Sequence, residues 1–402
     1  MLSVTFPWSS AVNYPSGPDV GTATKVVPTA NQFIRGTPAT AQTFDYLLNE
    51  RDTFAQNSSP LTWQSPLPTT GYYSGAWYDS LQGVWLLGTN PTGGGATAFQ
   101  ALWNPGTASN NSAPITGSTY GTTQPMALSY NSEHPGAYAV ISTGSPGSAG
   151  TAEVFYFGPA GTGLTHAYTV TLVTSVTCAE MVYVPGWPML YAIGSSSSWS
   201  VLSGLATPTI VASRNVASTQ VMARSNGTTA IFASSVDPSY VTTTDGHTFI
   251  TRTFPSAMNI GPGTSQYTLA GITWHSSILG SVWVANVAWA NTSAISTWIS
   301  LDAITWTQQS ALVVVSTHIG EVIDLASAGH HLAAVCAFVP SYPQTWNTTL
   351  SRILTSEDLG VTWHMSPGAV LGDLNPRIYS GNGQFYVTGG GSAVFSDKVI
   401  EV

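Results

Sequence analysis

A short pattern recurs three times in the second half of the chain, and its spacing constrains the fold more than any other feature. It runs Thr243-Thr-Asp245-Gly246-His-Thr248-Phe249, then Ser300-Leu-Asp302-Ala-Ile-Thr305-Trp306, then Ser356-Glu-Asp358-Leu-Gly360-Val-Thr362-Trp363. Each copy has a small hydroxyl residue, an Asp two positions later and a closing Thr-aromatic pair. The Asps stand 57 and 56 residues apart (302 − 245, 358 − 302). A fixed period of this size marks a repeat architecture. The chemistry of the unit is that of a tight hairpin. The Asp accepts hydrogen bonds from the N–H groups just ahead of it, Gly246 and Gly360 suit a positive φ, and the Thr-aromatic pair starts a strand whose ring packs on the sheet.

A second repeat precedes each of these and extends further back. Turn-rich segments such as Asp79–Gly83, Ser225-Asn-Gly227 and Gly381-Asn-Gly383 each lead into an apolar strand. Those strands align on Trp85, Tyr138, Tyr191, Ile231, Trp283, Ala333 and Phe385, at intervals of 53, 53, 40, 52, 50 and 52 residues. The expected fold is all-β, a seven-bladed propeller over residues 60–402, in which radial four-stranded sheets leave only short edges. The last copy runs out of chain after Ser392–Ser396. Pro60-Leu-Thr-Trp63-Gln-Ser-Pro has the form of the missing outer strand, so residues 61–66 are expected to pair beside Ser392–Ser396 and lock the ring.

The three turns resemble the Asp-box, Ser-x-Asp-x-Gly-x-x-Trp, of sialidase-like β-propellers. The third copy has the full spacing; the first two are one residue shorter, and the second lacks the glycine. The resemblance implies that Thr243, Asp245, Gly246, Phe249, Ser300, Asp302, Trp306, Ser356, Asp358, Gly360 and Trp363 are structural. In that family the box lies away from the catalytic face. A sialidase site, as the resemblance implies it, would need three arginines, a Tyr with a Glu partner, and an Asp acid. The propeller holds only Arg214, Arg224, Arg252, Arg352 and Arg377, and none matches the family's motif.

Residues 1–59 read differently. The first 30 are rich in Pro, Gly, Thr and Ser and read as an extended arm. Thr37 can cap a helix that runs to Phe54, with Pro38 at its first position and Phe44, Leu47 and Leu48 in an apolar stripe that could anchor the chain. The stretch Ile34-Arg-Gly36-Thr-Pro-Ala-Thr-Ala41, continuing to Asn49, is similar to a segment near the N-termini of tailed-phage fibre and appendage proteins. That similarity implies a virion location, with residues 1–59 joining other virion proteins and the chain forming a homo-oligomer in the particle.

Composition narrows the function. Only 7% of the residues are Asp, Glu, Lys or Arg, and the lysines are Lys25 and Lys398 alone; an ordinary domain carries roughly 25% charged residues. A surface of Ser, Thr, Asn and Gly suits an assembled or extracellular structure. The net charge is −9 with no basic cluster, which argues against nucleic-acid and basic membrane-surface binding. No apolar run reaches the roughly 18 residues needed to cross a bilayer, and no membrane insertion is expected. The start, Met1-Leu-Ser-Val-Thr-Phe-Pro-Trp, lacks the basic and apolar parts of a signal peptide. Cys178 and Cys336 lie in apolar strand-like stretches and are expected to be buried free thiols.

Neither a metal site nor a cofactor is expected. The eight His are scattered, and His330-His331 fall in a turn. Glu321 and Asp324 enter an innermost strand three residues apart, so they would face opposite sides of it and are expected to be edge polar residues. With 14 Trp and 17 Tyr, most rings are expected in the core; Trp103, Tyr342 and Trp346, in long loops, could stack on sugars. The expected role is a non-enzymatic virion appendage whose propeller binds a host-surface glycan or protein, or decorates the particle. A glycan-cleaving hydrolase and a cellular surface propeller stay open beside it.

Overall fold

The computed structural model describes, for the first 175 residues, the strands and a few side chains set in them, and most of residues 176–396. The chain divides into two compact units, Met1–Pro60 and Leu61–Val402. In the first unit Asn13–Tyr14 pairs antiparallel with Ala23–Thr24. The helix expected from Thr37 to Phe54, with Phe44, Leu47 and Leu48, lies outside the described residues.

The second unit is a β-propeller. Four consecutive strands form each antiparallel meander, for example Val176–Val182, Leu190–Ser195, Trp199–Ser203 and Thr209–Arg214. The next is Val221–Ser225, Ala230–Ser234, Ser239–Thr243 and Ile250–Thr253. The meanders Gly71–Thr116 and Gln124–Thr171 are joined through their outer strands by a short parallel pairing, Leu164 with Ile115 and Thr165 with Thr116. The first strands of the meanders contact one another in cyclic order. Gly71–Asp79 touches Gln124–Tyr130, followed by Val176–Val182, Val221–Ser225, Tyr267–Ser277, Ile319–Ala328 and Arg377–Gly381, which returns to Gly71–Asp79.

The closing sheet takes its outer strand from the start of the unit. Trp63–Gln64 lies antiparallel to Ser392–Ser396, with Trp63 opposite Ser396 and Gln64 opposite Phe395. This is the N-to-C closure expected from the Thr-Trp at positions 62–63. It pairs the edge that the last three strands would otherwise leave open.

The aligned positions of the second strands are core. Trp85, Tyr191, Ile231, Trp283, Ala333 and Phe385 are all buried, the two Trp at 1% exposure. Packing between sheets is close at the backbone level. A Cβ on Gly271 would stand 2.5 Å from Leu325 Cβ in the neighbouring first strand. Cys178 and Cys336 are buried free thiols, as expected.

The three repeated turns share one hydrogen-bond scheme. Asp245 Oδ1 accepts from the N–H groups of His247 (2.8 Å) and Thr248 (2.6 Å), while Thr248 Oγ1 donates to Oδ2 at 2.7 Å. Asp302 repeats this with the N–H groups of Ile304 and Thr305 at 2.8 and 2.7 Å. Asp358 holds Thr362 by its N–H and hydroxyl, and Ser356 donates to Asp358 at 2.8 Å. The Thr305 N–H contributes most to holding the Asp302 carboxyl down at about 2; the Thr248 N–H likewise lowers Asp245.

The copy without glycine keeps the same backbone. Ala303 takes φ 61° where Gly246 takes 74°. The aromatic residues sit just ahead of the outer strands rather than inside them. Trp306 donates from Nε1 to the Tyr240 hydroxyl of the preceding sheet (3.1 Å), which donates to the Ala303 carbonyl (2.9 Å). Trp363 donates to Thr297 Oγ1 (3.3 Å). Each of these turns therefore seals its sheet against the one before it.

Candidate functional site

The first strands bring a polar cluster into the middle of the ring. Glu180 lies in Val176–Val182, Arg224 in Val221–Ser225, Asp324 in Ile319–Ala328, and Arg377 and Tyr379 in Arg377–Gly381. Arg224 donates from Nη1 to Glu180 Oε2 and from Nη2 to Asp324 Oδ1 at 3.4 Å. Glu180 Oε2 also accepts the Ala223 N–H at 2.7 Å. Asp324 accepts the N–H groups of Leu325 (2.9 Å) and, across to the next first strand, Ile378 (3.2 Å). One arginine thus ties together three sheets.

This corrects the expectation that Asp324 is an edge residue. Its strand shifts register between Val322 and Asp324, which breaks the simple alternation that set Glu321 and Asp324 on opposite faces. The Asp324 side chain is 1% exposed and ion-paired. The Glu321 side chain lies outside the described residues.

Burial is the largest influence on Asp324 and raises its pKa, while Arg224 and Arg377 pull it down. Burial works to lower both arginines, but Asp324 and Glu180 outweigh it and hold them above the usual range. Burial pushes the Tyr379 hydroxyl up, so it stays protonated. Nη1 of Arg377 is buried without a hydrogen-bond partner among the described residues.

Arg224 and Glu180 line a cavity of about 400 Å³ together with Trp77, Tyr78, Tyr183, Trp274 and Tyr379. Small-molecule sites typically enclose about 300–1,000 Å³. Trp77 meets Tyr183 edge-on at 6.5 Å, and Trp274 is backed edge-on by Trp283 at 5.2 Å. The hydroxyls of Ser225 and Ser380 complete the lining. The arrangement offers aromatic walls for apolar faces and a few fixed donors and acceptors on the floor.

Of the expected sugar contacts, Trp103 ends the strand Phe99–Trp103 rather than lying in a loop; its side chain, and Tyr342 and Trp346, lie outside the described residues. The cavity residues had a signal in the second-strand alignment. Tyr78 pairs with Trp85, Met181 with Tyr191, Arg224 with Ile231, Trp274 with Trp283, Ala326 with Ala333 and Ser380 with Phe385. Each residue named first in these pairs lines the cavity. Reading across the hairpins from the aligned positions would have found them.

A second cluster lies between the fifth and sixth sheets. His275 Nδ1 is 2.8 Å from Ser327 Oγ, the His330 and His331 rings are 4.0 Å apart, and His331 Nδ1 is 3.5 Å from Glu357 Oε1. Burial lowers His275 to about 4 and His331 to about 3. Among the described residues no group of three His, Cys, Asp or Glu could hold a metal ion, and no helix is long and apolar enough to cross a membrane.

No family model matches the chain, and no curated protein does. Solved structures match in shape. A virginiamycin B lyase from Staphylococcus aureus superposes with a TM-score of 0.54 at 11% identity, covering 85% of this chain and 99% of that one. A streptogramin B lyase gives 0.51 at 9% identity, covering 84% and 98%. The Niastella koreensis GH74 enzyme gives 0.53 at 13% identity, covering 84% of this chain and 54% of that one. These matches correct the expectation of a non-enzymatic role, since the folds this chain resembles include lyases and a GH74 enzyme. At such identities the likeness is one of fold, and the fold it establishes is the β-propeller.

Proposed function

We propose that this chain is a seven-bladed Asp-box-like propeller carried on the virion of a tailed phage, and that it presents its central cavity to a glycan of the host surface. One observation carries the ligand reading. Five aromatic residues surround a cavity of about 400 Å³ whose floor is the fixed Arg224–Glu180 pair. Aromatic walls with a few convergent polar groups are the usual make-up of a small-ligand site. The virion reading is supported by the charge-poor composition and by the similarity of residues 34–49 to phage appendage segments.

In this reading residues 1–59 join the particle and the propeller faces outward. A glycan array probed with the full chain, with product analysis of every hit, tests the ligand part. Hits lost in a Tyr183→Ala variant support it, whereas hits indifferent to that change sink it. The anchor part is tested by deleting residues 1–59; a truncated propeller that still enters the particle overturns it.

A further inference from the structure

We infer that the central cavity takes an uncharged pyranose in preference to an acidic or basic sugar. This inference rests on the ligand reading above and adds the chemical class.

Charge balance carries the argument. Two guanidinium groups, Arg224 and Arg377, lie among two carboxylates, Glu180 and Asp324. Both ends of the Arg224 fork are occupied, Nη1 by Glu180 and Nη2 by Asp324. At Arg224, the arginine that lines the cavity, a sugar carboxylate would have to displace a protein carboxylate already held in a partly desolvated place. It would also bring a third negative charge to two positive ones. An ammonium group fares no better, because the Glu180 charge is already paired with Arg224, whose own positive charge repels a second cation. A charge buried without a partner is costly, whereas a hydroxyl needs only single hydrogen bonds.

The rest of the lining suits a neutral ring. The half-buried faces of Trp274 and Tyr183 offer apolar surface to the C–H side of a pyranose. Ser225 and the exposed Ser380 supply neutral donors and acceptors at the same site.

The test is a titration of the full chain, followed by tryptophan fluorescence. The probes are methyl glycosides of neutral hexoses, the corresponding uronic acids, N-acetylneuraminic acid and glucosamine. Neutral glycosides are expected to bind most tightly, and Trp274→Ala and Tyr183→Ala to weaken them at least tenfold. Melting curves of both variants check that they fold, and Tyr183→Ala serves if Trp274→Ala does not. Glu180→Gln leaves two positive charges facing one negative, so it is expected to shift the ratio of uronate to neutral affinity at least tenfold toward the uronate. Preference of the unmodified chain for acidic or amino sugars, lost in the wall variants, overturns this inference but leaves the ligand reading standing. Binding that ignores both wall variants, or no binding of any probe, overturns both.

Discussion

Arg224 reaches Asp324 across the middle of the ring, Nη2 to Oδ1 at 3.4 Å, although the two stand 100 positions apart in the chain. The contact exists only when the fourth and sixth sheets occupy their places around the ring. Its loss should be felt by the whole ring. Asp324→Ala removes the buried carboxylate beside Arg224 and Arg377 and leaves Arg224 with Glu180 alone, and breaking a buried pair typically costs about 3–5 kcal/mol. Chemical denaturation should show a loss of that size, and a change within the noise would show that the pair is not a structural tie.

The Asp-turn glycines differ from ordinary turn glycines in what they touch. A Cβ on Gly360 would lie 2.5 Å from Thr297 Oγ1, the atom to which Trp363 donates. Gly227 has a similar positive φ, 88°, but open space around it. Gly360→Ala should therefore destabilise by about 1–3 kcal/mol more than Gly227→Ala, the added amount being the cost of overpacking. Equal melting temperatures for the two variants would remove the turn's role as a seal between sheets.

The buried histidines set an acid limit. His275 and His331 are held at about 4 and 3 in the folded chain, against 6.5 when exposed. Their folded values are depressed, so the unfolded chain binds protons first as the pH falls. Stability is complete above pH 6.5 and drains away between there and about pH 4 for His275, by roughly 3 kcal/mol from its shift, and on to about pH 3 for His331. The groups around them are His330, Ser327 and Glu357. A His275→Gln variant should show a flatter stability profile across this window. An unchanged slope would mean that other groups control acid unfolding.

The strand Trp63–Gln64 completes the last sheet. Deleting residues 61–66 opens an edge beside Ser392–Ser396, so the melting temperature should fall and the freed edge should promote association. A deletion variant that melts like the full chain would contradict closure.

Much of the fold was legible because its determinants are local. The Asp turns recur with the same hydrogen bonds, and the aligned second-strand residues Trp85, Tyr191, Ile231, Trp283, Ala333 and Phe385 are buried because a recurring period places each one at the same depth in its sheet. The closing strand could be read from Thr62-Trp63 because a Thr-aromatic pair closes each of the three Asp turns. The site was less legible. Asp324 reads as an edge residue under strict alternation, and the register shift beside it is set by packing against the neighbouring strands. The pairing of Glu180, Arg224 and Asp324 joins residues from three separate sheets, which no spacing in the chain encodes. Trp103, Tyr342 and Trp346 are marked in the sequence by flanking Pro and Asn residues, although Trp103 belongs to the strand Phe99–Trp103. Trp274 and Tyr183, set in or just after regular strands, carried no such mark.

The central claim is that the cavity over Arg224 is the ligand site. The most direct measurement is a crystal structure of the full chain soaked with its strongest array hit. The account predicts density between Trp274 and Tyr183, above the Arg224–Glu180 pair. Density on the outer loops, with that cavity left to solvent, would contradict it.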